Sequence, residues 1–292
     1  MVKLHIKQGD QSQFLYDTTV EIPINDLLKD VVAIYNGRLK VQRICAEIEE
    51  LAKHGITLPP NMQGLTDEQI EDLKLKDEWE TKCTPSGGAV FKKDDIGRRN
   101  GQAPNDKMAE VLNKTVKEAK DMISKEKVKI DVCVTQATVK EALDILRGAV
   151  TIVYPMGLPP HDPIFAEFEN TEDLSWNTGK ASLEVIEEAN ASIWFSGKEW
   201  TRGKQIKDFI GKNEKTKIIA KLQKKGHGAP AREPVVSEEE QKKMMAYYYK
   251  KQEEFKKLEA EAEDSYMDSP WADNNQLKRQ FHGIGNVKWG PR

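Results

Sequence analysis

Residues 193–223 read IWFSGKEWTRGKQIKDFIGKNEKTKIIAKLQ, and the fold turns on this stretch. Ile193 and Phe195 start an aromatic strand that stops at Gly197-Lys198, and Gly203 marks a further turn. Ile206, Asp208 and Phe209 form another turn, and Ile218, Ala220 and Leu222 alternate along a closing strand after Thr216. Upstream, Val150, Ile152 and Tyr154 alternate, a Pro/Gly turn follows, and Ile164, Ala166 and Phe168 alternate again. Leu183, Val185 and Ile186 fit a short helix between these pairs. Strand, strand, helix, strand, strand from Ala149 to Gly226 is the order of a β-grasp, so a domain over 149–226 is expected, with Ile218 and Leu222 facing its helix.

The 193–223 stretch resembles the second half of ubiquitin almost without a gap, while 149–190 matches only by pattern. The resemblance implies that Asp208, with its aromatic neighbour, braces the loop before the last strand. Lys224-Lys225-Gly226-His227-Gly228 replaces a terminal diglycine and the chain continues, so the unit is expected as a built-in module and not a conjugated modifier.

Ahead of it, residues 1–148 read as a hairpin followed by helices. Val2, Leu4 and Ile6 alternate, GDQS at Gly9–Ser12 turns the chain, and Val20, Ile22 and Ile24 alternate again. A helix is expected from an Asn25 N-cap through Leu28, Val31, Val32 and Tyr35, with a break at Asn36-Gly37. A second carries Leu39, Ile44, Ile48 and Leu51 and ends at Gly55, before Pro59-Pro60. Thr66 begins a capping box, TDEQ. Residues 83–104 read as a flexible loop, with Arg98 and Arg99 beside a turn at Asn100-Gly101. Asn105 opens a helix with Met108, Leu112 and Val116 on one side, and Thr135 caps another that ends at Gly148. The opening strand–strand–helix also has the form of an incomplete second β-grasp. The fold class is α+β.

Residues 227–292 read as a linker, a charged helix from Ser237 to about Asp264 capped by Ser237 and Glu240, and an aromatic tail. Met244, Tyr247, Tyr248, Phe255 and Leu258 make a short apolar stripe on that helix, suited to core packing or to helix-in-groove docking. Trp271, Phe281 and Trp289 are large anchors in a tail too polar for its own core, so they dock either on a partner or on this chain. Trp194 and Lys198 complete the candidate partner-binding residues. Trp194 and Ala220 fall near the position of an apolar receptor-binding patch, crowded by Lys217 and Lys221.

Composition narrows the function classes. Of 292 residues, 38% are hydrophobic and 32% charged, so part of the chain is expected outside any packed core. A net charge of −3 lacks the basic excess of a phosphate-tracking domain, and nucleic acid is not an expected partner. The basic stretch Lys198–Lys225 fits the exposed face of a β-grasp or a site for an acidic surface. No apolar run reaches the roughly 18–20 residues of a membrane span, and the N-terminus reads as a strand and not a signal peptide. Three scattered cysteines, Cys45, Cys83 and Cys133, fit a reducing compartment and a cytosolic reading, with Cys45 a small apolar residue on a helix. Five scattered histidines offer no metal-ligand spacing, Ser86-Gly87-Gly88 lacks the GK[ST] of a phosphate loop, and no nucleophile sits in a recognisable catalytic pattern. No cofactor, metal or catalytic residue is expected.

Longer blocks are more specific. YNGRLKVQRICAEIEELAKHGITLPPNMQGLTDEQIEDLKLKDEW, PSGGAVFKKDDIGRRNGQAPN, GAVTIVYPMGLPP, GKNEKTKIIAKLQ, GAPAREP and SPWADN resemble the Kurly family of cilia- and flagella-associated proteins, from the first hairpin to the tail. The resemblance implies a cytoplasmic and basal-body protein, in or near the axoneme, that acts in outer dynein arm assembly and is connected with cilium positioning through planar polarity. It implies no catalytic residues. The expected partners are dynein-arm subunits or their assembly factors; the alternative is a ubiquitin-like module that binds a ubiquitin-pathway receptor.

Overall fold

The computed structural model describes residues 1–169, 183–231 and 238–268, with the single positions 236 and 282. Two compact units are present, Met1–Arg232 and Glu233–Arg292. In the first, strand β1 (Val2–Gln8) buries Val2, Leu4 and Ile6 completely and turns Lys3, His5 and Lys7 to the other face. Gly9, at φ 58°, makes the turn into β2 (Gln11–Thr18), which pairs antiparallel with β1. Helix α1 (Ile24–His54) then lies against the apolar side of the sheet, burying Leu27, Leu28, Val31 and Ile34 among others.

The sheet is completed far along the chain. Strands β5 (Ala191–Phe195) and β6 (Lys198–Glu199) form a hairpin through Ser196 and Gly197, both at positive φ. Strand β7 (Lys217–Lys224) enters the middle, parallel to β1 and antiparallel to β5, giving the order β2-β1-β7-β5-β6. Ile218, Ala220 and Leu222 face the core against α1. A mixed sheet in this order, with one helix across its face, is a β-grasp, and its second half lies where the sequence placed it.

Its first half does not. The strands expected at Val150–Tyr154 and Ile164–Phe168 are helical, and the grasp takes residues 2–54 as its opening strands and helix. The strand–strand–helix that resembled an incomplete second grasp is the missing half of the only one among the described residues. Helix α5 (Gln136–Val153) runs through Gly148 without stopping, because Leu146, Ala149, Val150 and Val153 recur at helical spacing and are buried while Ile152 is exposed. Ile164 and Glu167, three apart, are buried in a helix at Pro163–Glu169. Short apolar runs are ambiguous between the two periods, and here tertiary packing selected the helix.

Residues 55–190 are thus an insertion between the halves of the grasp, and α1 holds its described helices. Helix α4 (Asp106–Met122), capped by the Asn105 side chain, and α5, capped by Thr135, pack on α1. The expected break at Asn36-Gly37 is absent. A Cβ on Gly37 would stand 2.6 Å from Val139 Cγ1, so the glycine permits α1 and α5 to approach. Asn36 donates to the Ile186 carbonyl at 2.8 Å and accepts from its N–H at 3.2 Å, fixing the segment before β5. The helix begins after Pro23, and Asn25 is inside it, not its cap. Gly55 ends it at φ 80°, Thr66 and Gln69 complete both halves of the capping box of α2 (Asp67–Asp72), and a short α3 (Trp79–Lys82) follows.

The supposedly flexible loop at 83–104 is anchored. Its ends pair as a small ladder, β3 (Ala89–Phe91) with β4 (Gln102–Pro104). Arg99 is buried and donates to the Gly55 carbonyl at 2.7 Å and to Glu47 Oε2 at 2.8 Å, with Asp162 3.9 Å away. Asp162, fully buried, accepts from the Thr57 N–H and hydroxyl. This ionic cluster ties loop, α1 and the Pro163–Glu169 helix together. In the second unit a helix covers Glu238–Asp268, four residues beyond the expected end; its expected cap, Ser237, lies outside the described residues.

Candidate protein-binding surfaces

The open face of the grasp sheet follows from strand alternation. Directly paired residues share a face, so Lys7, Lys221, Trp194 and Glu199 form one row across β1, β7, β5 and β6. His5 and Ile219 form the next row, and Lys3 and Lys217 the third. Trp194 is half-buried and its indole N–H donates to Ser192 Oγ at 3.2 Å, two residues back on the same face. Ile219 is 41% exposed.

Lys198 does not join them. It pairs with Phe195, which puts it on the face opposite to Trp194, so the two candidate residues are not brought together. Ala220 is fully buried beneath α1, and Ile219 takes the exposed position that the sequence reading gave to Ala220. The alternation Lys217, Ile219, Lys221 carried that signal.

Lys3, Lys217 and Lys221 on this face have counter-ions from elsewhere in the chain. Asp131 bridges Lys3 and Lys217, the latter at 2.9 Å, and Lys221 donates to Asp10 at 3.4 Å and to the Ala231 carbonyl at 2.9 Å. Hydrogen bonds from Lys3 and Lys217 hold the Asp131 carboxyl down to about 2. Asp131 sits at φ 61°, a conformation that aspartate tolerates better than most residues. Nothing local in the sequence announces that bridge. It reduces the apparent basicity of the 198–225 stretch and leaves Trp194 and Ile219 as apolar groups among paired charges.

Asp208 performs the bracing role that the ubiquitin resemblance implied: its Oδ2 accepts from the Gln205 N–H at 3.1 Å. Phe209 beside it stacks on buried Trp200, ring centroids 5.6 Å apart.

On the C-terminal helix, Met244, Tyr247, Tyr248, Phe255 and Leu258 fall on one side at a period of 3.6 residues, and each is about half exposed or more. Trp271, Phe281 and Trp289 lie outside the described residues.

The thiols are poor nucleophiles in this setting. Burial pushes Cys45 up to about 11, and burial likewise raises Cys83 and Cys133 above the ordinary thiol value. Among the described residues no three His, Cys, Asp or Glu side chains are grouped to hold a metal ion, and no helix is long and apolar enough to cross a membrane.

With this geometry in hand, comparison with known proteins places the chain. The family model for cilia- and flagella-associated protein 298 matches residues 191–287, starting at the first residue of β5 and extending past the C-terminal helix. Cilia- and flagella-associated protein 298 of Homo sapiens is 64% identical over 292 residues, covering all of both chains, and that of Danio rerio is also 64% identical over the full length. The Drosophila melanogaster protein of the same name is 50% identical over 289 residues, 99% of each chain. No solved structure gives a significant match. The chain belongs to the cilia- and flagella-associated protein 298 family.

Proposed function

We propose that this chain is a non-catalytic adaptor of motile cilia that holds outer-dynein-arm subunits, or the factors that assemble them, while the arms are built in the cytoplasm and near the basal body. The observation that carries the adaptor reading is the apolar stripe from Met244 to Leu258, a row of exposed aromatic and aliphatic anchors on a 31-residue helix. Such a stripe is the anchor pattern of helix-in-groove recognition. The relatives are named for association with cilia and flagella, and the outer-arm role rests on the Kurly resemblance.

Electron microscopy of axonemes from cells lacking the protein tests the reading. Cilia should be present but immotile or weakly motile, with outer arms missing. Intact outer arms with normal beating would overturn it. A second reading, a ubiquitin-like module for a ubiquitin-pathway receptor, draws on the adjacent Trp194 and Ile219 of a complete grasp sheet. Capture by a ubiquitin-binding domain that Trp194→Ala abolishes would favour it.

A further inference from the structure

The insertion carries a cleft of about 830 Å³, lined by none of the sheet-face residues above. One wall comes from residues 58–80 and the other from 91–101. The walls are stitched at their base by backbone hydrogen bonds, Leu58 N–H to the Arg98 carbonyl and Gly64 N–H to the Gly97 carbonyl, each 2.9 Å. Asp94 fixes the tip of the second wall by accepting from the N–H groups of Ile96, Arg98 and Arg99. Burial pushes the Asp94 carboxyl up, and these donors outweigh it and hold the pKa below the ordinary value.

That pinned wall presents two large apolar side chains to water. Phe91 is 74% exposed and Ile96 78%, and Met62, Leu65, Ile70 and Leu75 line the cleft with them. Single exposed apolar residues are ordinary; several converging on one preformed cleft mark a binding groove. The lining charges are unequal. Glu68, Asp77, Glu80, Asp94 and Asp95 stand against Lys76, Lys93 and Arg99, and Arg99 is engaged by Glu47 and Asp162. Asp77 Oδ1 accepts from the Trp79 N–H, while Oδ2 is buried and has no hydrogen-bond partner among the described residues.

We infer that this cleft docks a partner segment in which lysine or arginine flanks large apolar side chains, an amphipathic basic helix being the simplest form. The apolar side chains enter against Phe91, Ile96 and Met62, and the cations meet Glu68 and Asp95. The inference does not depend on the outer-arm reading, since the cleft's chemistry is the same whatever the partner's role.

The test titrates the full chain with two photo-crosslinkable 14-residue amphipathic helices, one of leucine and lysine and one of leucine and glutamate. The lysine peptide should bind at least tenfold more tightly, with crosslinks confined to 58–101. Phe91→Ser with Ile96→Ser should weaken it at least tenfold at an unchanged melting temperature, because both side chains are exposed. Glu68→Lys with Asp95→Lys should reverse the peptide preference. Equal binding of the two peptides, crosslinks outside the cleft, or indifference to these variants would overturn the inference. So would crosslinks between two copies of the chain at the cleft, or entry of the peptide only after residues 269–292 are removed; those outcomes identify a second copy or the chain itself as the occupant.

Discussion

The two halves of the grasp differ in where their partners lie. In the second half, β5 turns directly into β6, Asp208 holds a backbone group three residues away, and Trp200 stacks on nearby Phe209. In the first, β1 finds its second neighbour in β7, pairing Lys3 with Lys217 across the whole insertion. Local contacts leave a local signature in sequence. Long-range pairing leaves only alternation, which any strand with one buried face shares.

The largest test of this difference cuts the chain between its halves. A fragment of residues 149–226 retains β5, β6 and β7 but loses β1, β2 and α1, and should remain unfolded by NMR. The full chain lacking residues 1–18 should lose its cooperative melt, since β7 then has no parallel neighbour. A well-dispersed spectrum from the 149–226 fragment would break the comparison outright.

A smaller effect sharpens it at α1. Gly37→Ala should gain about 1 kcal/mol from helix propensity, yet the new Cβ would press on Val139. Overpacking of this kind costs about 1–3 kcal/mol, so denaturant melts should show no net gain or a loss, and Val139→Ala in the same chain should recover stability. A plain gain from Gly37→Ala alone would mean that α5 does not need the close approach.

The smallest effect is at the surface. The folded pKa of Asp131 is held below its ordinary value of 3.8, at about 2. Its contribution is therefore present above the ordinary value and lost as the pH falls through about 2. Asp131→Asn should lower the melting temperature slightly near pH 7, and the gap from the parent chain should close in that acid window. Salt should narrow it as well, because the bridge is exposed. A gap that stays undiminished from pH 7 to pH 2 would assign the effect to backbone conformation and not to charge.

The sequence was informative wherever a residue acts on its neighbours. The Thr66 box, the Asn105 and Thr135 caps, the Gly55 stop and the Asp208 brace all appear where expected, and the α+β class holds. It was uninformative where one residue type serves two purposes. Asn36-Gly37 reads as a turn, but the asparagine clamps Ile186 and the glycine admits Val139. Arg98-Arg99 reads as a basic loop, but Arg99 is buried on Glu47. Of the surface candidates, Trp194 lies on the open sheet face as a half-buried group, whereas Lys198 faces away from it. The cleft was invisible because its two walls meet only through backbone bonds between segments more than thirty residues apart.

The parallel pairing of β1 with β7 also has a consequence in time. More than 200 residues must be added after Lys3 before Lys217 exists to meet it. At roughly 5–20 residues per second, the ribosome needs on the order of 10–40 s for that interval. Throughout it, one edge of β1 has no neighbour and the sheet-facing side of α1 lacks half of its cover. An open edge beside an uncovered apolar helix invites pairing with other chains. Until β7 emerges, the nascent chain therefore carries an open strand edge that its own sequence cannot yet cover.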